Sequence, residues 1–363
     1  MNDPYGTRLA SARERMGDLG VDVLLLSTGA DLPYLTGYEA MPLERLTMLV
    51  LPLAGDADLV VPRLEAPRVV EHPESFTVRP WDETEDPIAI VAGLVGDART
   101  AAIGDQTWAR FLVDLQAACP EVRFRRAVDV TGPLRIVKDE SEVEALRAAA
   151  RAVDAIAGSM REARFSGRRE VDVHRELVDR MLDAGHDRAN FAIVAAGPNA
   201  ASPHHEPGDR VIEPGDVVLC DFGGTMQGYC SDITRMFAVG DPSAEVRDAY
   251  AVLVDAQEQG VRAATVGTRC EDVDAAARRV IADAGYGDYF VHRTGHGIGA
   301  EAHEDPYVVA GNATPLVAGH AFSVEPGIYV PGRFGLRLED IVVATPGGPE
   351  RLNHAARDLA IVG

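Results

Sequence analysis

The chain has 363 residues, 46% hydrophobic and 25% charged, so it can hold two domains with large cores and has the composition of an ordinary soluble globular protein. A formal charge of −22 argues against a nucleic-acid partner, because a phosphate backbone needs a basic surface. No apolar run approaches the roughly 18–20 residues of a membrane span. The polar N-terminus MNDPYGTRLASARERMGDLG lacks the apolar stretch of a signal peptide, so neither a membrane partner nor export is expected.

Residues 7–19 read as a short amphipathic helix, with Leu9, Ala12, Met16 and Leu19 on one face and Gly20 ending it. VDVLLLS follows as a buried strand, then strands at 46–53 and 57–62, a helix at 88–94, a short strand at 101–104 and a helix at 108–119. Alternating strands and helices predict a compact α/β domain without a cluster of chemical residues. Asp31, Tyr34 and Tyr38 fit turn and packing roles better than a cleft. The boundary is expected near residues 130–139. Ser141 to Glu144 reads as an S-x-x-E capping box opening a long helix, and a second helix is expected at 170–184. The cysteines Cys119, Cys220, Cys230 and Cys270 form no C-x-x-C pair, which predicts reduced thiols and a cytoplasmic address.

Residues 217–239, VVLCDFGGTMQGYCSDITRMFAV, read as a β-hairpin with a Gly-rich turn. Asp221 lies in one arm and Asp232 in the other, with their midpoint between Met226 and Gln227. A symmetric hairpin places them directly opposite, Cβ atoms about 4.5–5.5 Å apart. Helices are expected at 244–263 and 271–284, and then a second hairpin at 322–343. It carries Glu325 and Glu339, centred on Gly332. The C-terminal part therefore reads as a duplication of element order and acid placement, two helices and then an acid-bearing hairpin, without evident sequence identity between the halves.

One acid in an apolar strand is ordinarily a solvated position. Two facing pairs repel and need a proton or cation between them. Between the hairpins, HRTGHGIGAEAHEDP supplies His292, His296 and His303. Four carboxylates with imidazole form a hard-oxygen cage suited to a pair of divalent first-row ions. Such a pair acidifies a bridging water, giving hydroxide near neutral pH, and polarises a carbonyl, which is machinery for amide or ester hydrolysis. The glycines of TGHGIG lack a βαβ context for nucleotide binding and are expected to permit close backbone approach.

DFGG…SDITR, HRTGHGIG, EPGIY and R-x-E-D, in this order, resemble the pita-bread metallopeptidases: prolidase, aminopeptidase P and methionine aminopeptidase, with creatinase a metal-free relative. The resemblance covers essentially the whole chain and is nearest to the Xaa-Pro dipeptidase type. It implies an α+β protein, with a smaller N-terminal α/β domain at 1–135 and a pita-bread catalytic domain at 136–363. It also implies metal ligands Asp221, Asp232, His296, Glu325 and Glu339, with Asp232 and Glu339 bridging two ions. The metal is expected to be manganese, with cobalt or zinc as alternatives. Glu325 resembles the proton shuttle. His204 and His303 match the histidines that contact substrate and tetrahedral intermediate; His205 competes with His204, which the spacing to Asp216 favours. Arg337 shares the strand face of Glu339 and is assigned to a substrate carboxylate or to holding a ligand. His292 is expected beside the site rather than as a ligand, and His72, His174, His186 and His354 on the surface.

The expected reaction is hydrolysis of the bond before proline in Xaa-Pro dipeptides by a metal-bridging hydroxide. The alternative is an aminopeptidase P acting on longer peptides. A non-catalytic binding module predicts eroded ligand positions, and none is eroded. Methionine aminopeptidase is disfavoured by the extra N-terminal domain. The resemblance further implies a homodimer.

Overall fold

The structure, a computed structural model, describes residues 4–363. The chain divides into two compact units, one ending at Arg135 and one spanning Ile136–Gly363. In the first, the expected helix forms as α1 (Pro4–Leu19), burying Leu9, Ala12 and Met16. It is followed by β1 (Val23–Leu26), α2 (Asp31–Thr36), β2 (Met48–Pro52), β3 (Asp58–Pro62), β4 (Thr77–Trp81), α3 (Pro87–Val95), β5 (Thr100–Ile103), α4 (Ala109–Ala118), β6 (Arg123–Arg126) and α5 (Val128–Ile136). The six strands form one sheet in the order β4-β3-β2-β1-β5-β6, with β2 antiparallel to both neighbours and the remaining pairs parallel. The edge strands β4 and β6, TVRPW and RFRR, lack the apolar run that marks a strand in sequence, because edges carry charge and proline. Asp31 pairs with Arg135 at 2.7 Å, and Tyr34 and Tyr38 are buried, so ADLPYLTGYE is packing.

The second unit begins with α6 (Glu140–Met160), two residues of sequence earlier than the expected cap. Asp139, not Ser141, is the N-cap: its Oδ1 accepts from Glu142 N and the Glu142 side chain accepts from Asp139 N, both at 2.9 Å. Ser141 only donates to that same Asp139 oxygen. Then come α7 (Glu170–Asp183), β7 (Arg188–Ala196), β8 (Val217–Met226), β9 (Tyr229–Cys230), β10 (Ile233–Val239), α8 (Ala244–Ala263), α9 (Cys270–Asp283), β11 (Gly295–Gly297), β12 (Glu304–Val308), β13 (Ala321–Val324), β14 (Gly327–Val330), β15 (Phe334–Arg337), β16 (Asp340–Thr345), β17 (Gly348–Arg351) and β18 (Ala360–Val362). One sheet runs β18-β10-β8-β7 with β9 on β8; another runs β12-β11-β13-β16-β17; β14 and β15 pair separately. Strand β7, absent from the sequence reading, pairs with β8 on the edge opposite β10, which makes β8 a central strand, and the apolar clusters packed on its two faces bury it from residue 217 to 225.

The expected duplication is present. Helices α6 and α7 pack Val153, Met160 and Leu177 onto Val194, Phe222 and Phe237 of the first sheet. Helices α8 and α9 pack Val261 and Val273 onto Phe322, Val324 and Val342 of the second. Each fully buried Phe contributes about 2–3 kcal/mol. The repeat is also written in the residues, contrary to the reading above. Gly167, Arg169, Asp172, Val173 and Asp183-Ala184-Gly185 recur as Gly267, Arg269, Asp272, Val273 and Asp283-Ala284-Gly285. Arg169 binds Asp172 and Arg269 binds Asp272, each through Nε at 2.8 Å, at the same helical start. No helix among the described residues is long and apolar enough to cross a membrane.

Candidate active site

Both acid pairs come from hairpins, but only one has the expected register. Glu325 and Glu339 flank strand pairs in which Val324 faces Asp340 and Gly327 faces Arg337, so continuing that register puts the two glutamates opposite each other. Neither sits inside a strand; Pro326 and Leu338 interrupt the ladder next to them. In the first hairpin Asp221 faces Thr234, not Asp232. The turn is at Gln227 and Gly228, with φ of 51° and 81°, one residue later than the symmetric midpoint. Positive φ at both central positions is the two-residue turn that matches strand twist, and it fixes the register. Asp232 is therefore a diagonal neighbour of Asp221. Gly223 lies where Asp232 crosses, and a Cβ there would collide with the carbonyl oxygen of Ser231.

The two hairpins meet at Thr234 and Glu339. Glu339 N donates to Thr234 O at 3.4 Å, and Thr234 Oγ1 donates to Glu339 Oε2 at 2.8 Å. Arg235 donates to the Glu339 carbonyl at 2.6 Å and to Asp340 at 2.7 Å, fixing the backbone behind the carboxylate. His296 comes from β11, a three-residue strand squeezed between β12 and β13. Its Nδ1–H donates to Gly297 O at 3.2 Å, which leaves Nε2 facing the acids, 3.2 Å from Glu325 and 3.8 Å from Asp232. The motif glycines serve the expected close approach. A Cβ at Gly295 would strike the Ser323 carbonyl, and one at Gly297 the Asp305 carbonyl. Asp232, His296 and Glu339 offer ligand atoms all within 4.8 Å of one another.

The acids are strained as an ion-free set. Burial, then the charges of Glu339 and Asp221, push the Asp232 carboxyl well up. Burial and then Glu325 do the same to Glu339. Burial raises Asp221 despite the Arg337 guanidinium. Glu325 goes the other way: burial would raise it, but the bond and charge of His296 hold it at about 2. Asp221 Oδ1, Asp232 Oδ1 and Glu339 Oε1 are buried without a hydrogen-bond partner. Buried unpaired carboxylate oxygens are costly, and a divalent cation is the group that fits acids converging on an imidazole, as Asp232 and Glu339 do on His296.

Arg337 is 2% exposed and already engaged. Its Nε donates to Thr234 Oγ1 at 3.2 Å, its Nη1 to Pro203 O at 3.2 Å and Tyr329 OH at 2.8 Å, and its Nη2 to Asp221. It holds Asp221, and its N–H groups are already engaged. Tyr329 donates in turn to His292 Nε2 at 2.8 Å, because His292 Nδ1–H is given to Arg293 O at 2.7 Å. Both nitrogens of His292 are used, so it is no ligand. Tyr329 and Thr234 lie inside the quoted EPGIY and SDITR motifs; their polar side chains beside the acids were the signal passed over.

His303 packs its ring 3.9 Å from that of His296, and burial, then His296, push its imidazole down. His204 is exposed, and its charge reaches His303. His205 is taken by Glu170: its Nε2 lies 2.8 Å from a fully buried carboxylate that also accepts from Ala196 N at 2.8 Å and Asn199 at 3.1 Å. Glu170 thus fixes the segment that presents His204. His186, expected on the surface, is buried and bonded to Ser231 Oγ at 2.8 Å, next to Asp232.

The profile of Metallopeptidase family M24 matches residues 143–346, and that of the Creatinase/Prolidase N-terminal domain matches residues 8–137. "Probable dipeptidase PepE" of Mycobacterium tuberculosis is 42% identical over 99% of this chain and 96% of that protein. An Xaa-Pro dipeptidase of Lactobacillus delbrueckii subsp. lactis is 34% identical over 94% and 95%. The crystal structure of a prolidase from Thermococcus sibiricus superposes with a TM-score of 0.92 at 36% identity, covering 99% of both chains.

Proposed function

The chain belongs to metallopeptidase family M24, a peptidase with a pita-bread catalytic domain behind a creatinase/prolidase-type N-terminal domain, and from that premise we propose that it is an Xaa-Pro dipeptidase using two divalent ions. The observation that carries the metal reading is the convergence of Asp232 and Glu339 on His296, with a buried, unpartnered oxygen on each acid and on Asp221. Relatives named Xaa-Pro dipeptidase and prolidase support the substrate class.

Asp221, Asp232, His296, Glu325 and Glu339 would hold the ions, and Asp232 and Glu339, pushed well up by burial and then by neighbouring carboxylates, are the acids a cation would relieve most. When bound, the ions supply Lewis-acid chemistry, acidifying a water near neutral pH and polarising the scissile carbonyl. The chain does the rest. Thr234 and Arg337 orient Glu339 and Asp221, so the ligands lose little freedom on binding. Ser323 Oγ donates to Glu325 Oε1 at 3.1 Å, and Glu325, ionised across the working range, can take a proton at that carboxylate and deliver it to the departing prolyl nitrogen. His303, held neutral, donates an N–H to the developing oxyanion, with His204 at the exposed end.

The same reading takes manganese as the metal, since four carboxylates to one imidazole favour hard cations, with cobalt or zinc as alternatives. It places the protein in the cytoplasm, in keeping with four free cysteines, and takes it as a homodimer on family resemblance alone. Residues 1–135 and 136–363 are taken as its domains. The test is hydrolysis, with added manganese, of an Xaa-Pro dipeptide, an Xaa-Pro tripeptide and the Xaa-Ala dipeptide. Cleavage of the first alone is expected. Preference for the tripeptide moves the assignment to aminopeptidase P, and equal cleavage of Xaa-Ala overturns the proline reading.

A further inference from the structure

His303 stands where regular structure gives out. Glu301 to His303 lie outside any helix or strand, and Glu304 opens β12 directly after them. The β11–β12 ladder slips here: Gly295 pairs with Val308 and Gly297 with Glu304, so the two strands do not advance in step. On the other side Ala302 gives the core of Val143, Ile298 and Ile341 a single methyl group. Yet the His303 ring sits 3.9 Å from that of His296, the imidazole of the ligand cluster. A donor to an oxyanion is effective only when it is held in place before the reaction.

A buried ion pair supplies the hold. Lys138 Nζ donates to Glu304 Oε1 at 2.5 Å, and the two side chains are 1% and 8% exposed. The lysine is itself fixed at the backbone. Lys138 N donates to Gly319 O at 2.9 Å, and Val137 forms a bridge with His320. Glycines make room on both sides. A Cβ at Gly299 would lie 2.9 Å from Lys138 Cε and 2.5 Å from Glu304 Oε1, and one at Gly319 would lie 2.7 Å from Lys138 O. A buried lysine–carboxylate pair is a poor source of stability, because desolvation consumes most of its attraction; what such a pair can supply is fixed geometry. Glu170 plays the same part for His204, through His205.

We propose that Lys138 is a positioning residue: by holding Glu304 it sets the adjacent His303 against His296, ready to donate to the developing oxyanion. The inference rests on the peptidase reading of the site. Lys138 acts through His303, whose donation belongs to the transition state, so its loss should appear in kcat rather than in KM.

The experiment uses the metal-loaded full chain and an Xaa-Pro dipeptide. Wild type is compared with Lys138→Met, His303→Ala, Lys138→Met/His303→Ala and Lys138→Met/Glu304→Gln. The last variant removes both charges of the pair, so that neither ion is left buried without the other. Lys138→Met and Lys138→Met/Glu304→Gln should each lower kcat by roughly 10- to 100-fold, part of the value of an oxyanion donor, with KM within about threefold of wild type. In the His303→Ala background, Lys138→Met should cost no further kcat, because the two act as one unit. Bound metal should stay at the wild-type level. The crystal structure of Lys138→Met/Glu304→Gln should show the His303 ring moved from its place against His296. An equal loss of kcat in both backgrounds, metal content falling in step with activity, or an unmoved His303 in Lys138→Met/Glu304→Gln overturns the inference and leaves the peptidase reading intact. A wild type that cleaves no Xaa-Pro dipeptide overturns that reading, and the place of His303 in Lys138→Met/Glu304→Gln then decides the positioning role by itself.

Discussion

The site's defining tension is that Asp232 and Glu339 repel each other in a buried place and are useful only when a cation relieves them. Asp232→Asn should therefore act in opposite directions with and without metal. In the loaded protein it should lose one ion and most activity, roughly 100-fold or more. In the chelated protein it should stabilise the fold by about 1 kcal/mol, because one buried like charge is gone. The pH dependence has a definite sign. A carboxyl raised in the folded state binds more protons there than in the unfolded chain, at every pH between its unfolded value near 4 and its raised value. The chelated wild type should therefore gain stability from these groups as pH falls through that window, and Asp232→Asn should flatten the gain. Melting curves with and without chelator check both points. Equal destabilisation by Asp232→Asn in the two states would contradict the account.

At the scale of elements, the sequence carried the hairpins and the acids in them, since apolar runs around a glycine-rich centre are a strong signal. It did not carry the first register. Symmetric counting put Asp221 opposite Asp232, whereas the positive φ of Gln227 and Gly228 moves the turn by one residue and pairs Asp221 with Thr234. The second hairpin was legible because Gly332 lies at the true centre. The cap of α6 was misplaced because Asp139-x-x-Glu142 and Ser141-x-x-Glu144 overlap, and only the backbone shows which oxygen reaches the N3 amide. Strand β11 is invisible to periodicity at three residues, yet it delivers His296. Its glycines make it possible, so Gly295→Ala should force the Ser323 carbonyl aside, cost about 3 kcal/mol and weaken metal binding with it. Wild-type melting and full metal content in Gly295→Ala would show that β11 tolerates the shift.

For the whole molecule, the duplication explains why the buried acids come in pairs. Each half presents a helix pair packed on a sheet, and each half contributes two acids from one hairpin, Asp221 and Asp232 in the first and Glu325 and Glu339 in the second. The halves touch through the Thr234–Glu339 bridge, so an acid from one half is bonded by a hydroxyl from the other. The repeat of Gly167-x-Arg169 and Asp183-Ala184-Gly185 one hundred residues later was readable, but it lies in the supporting helices, away from the motifs that draw attention. What no sequence pattern shows is how a donor is spent. Arg337 and His292 look available for substrate and metal until their hydrogen bonds are traced.

The most direct test is a metal titration of chelated protein, with bound ions counted and turnover of an Xaa-Pro dipeptide followed in the same samples. The account predicts no turnover without metal and full turnover as occupancy reaches about two ions per chain. Full turnover in metal-free protein, or saturation at one ion with no effect of a second, would contradict it.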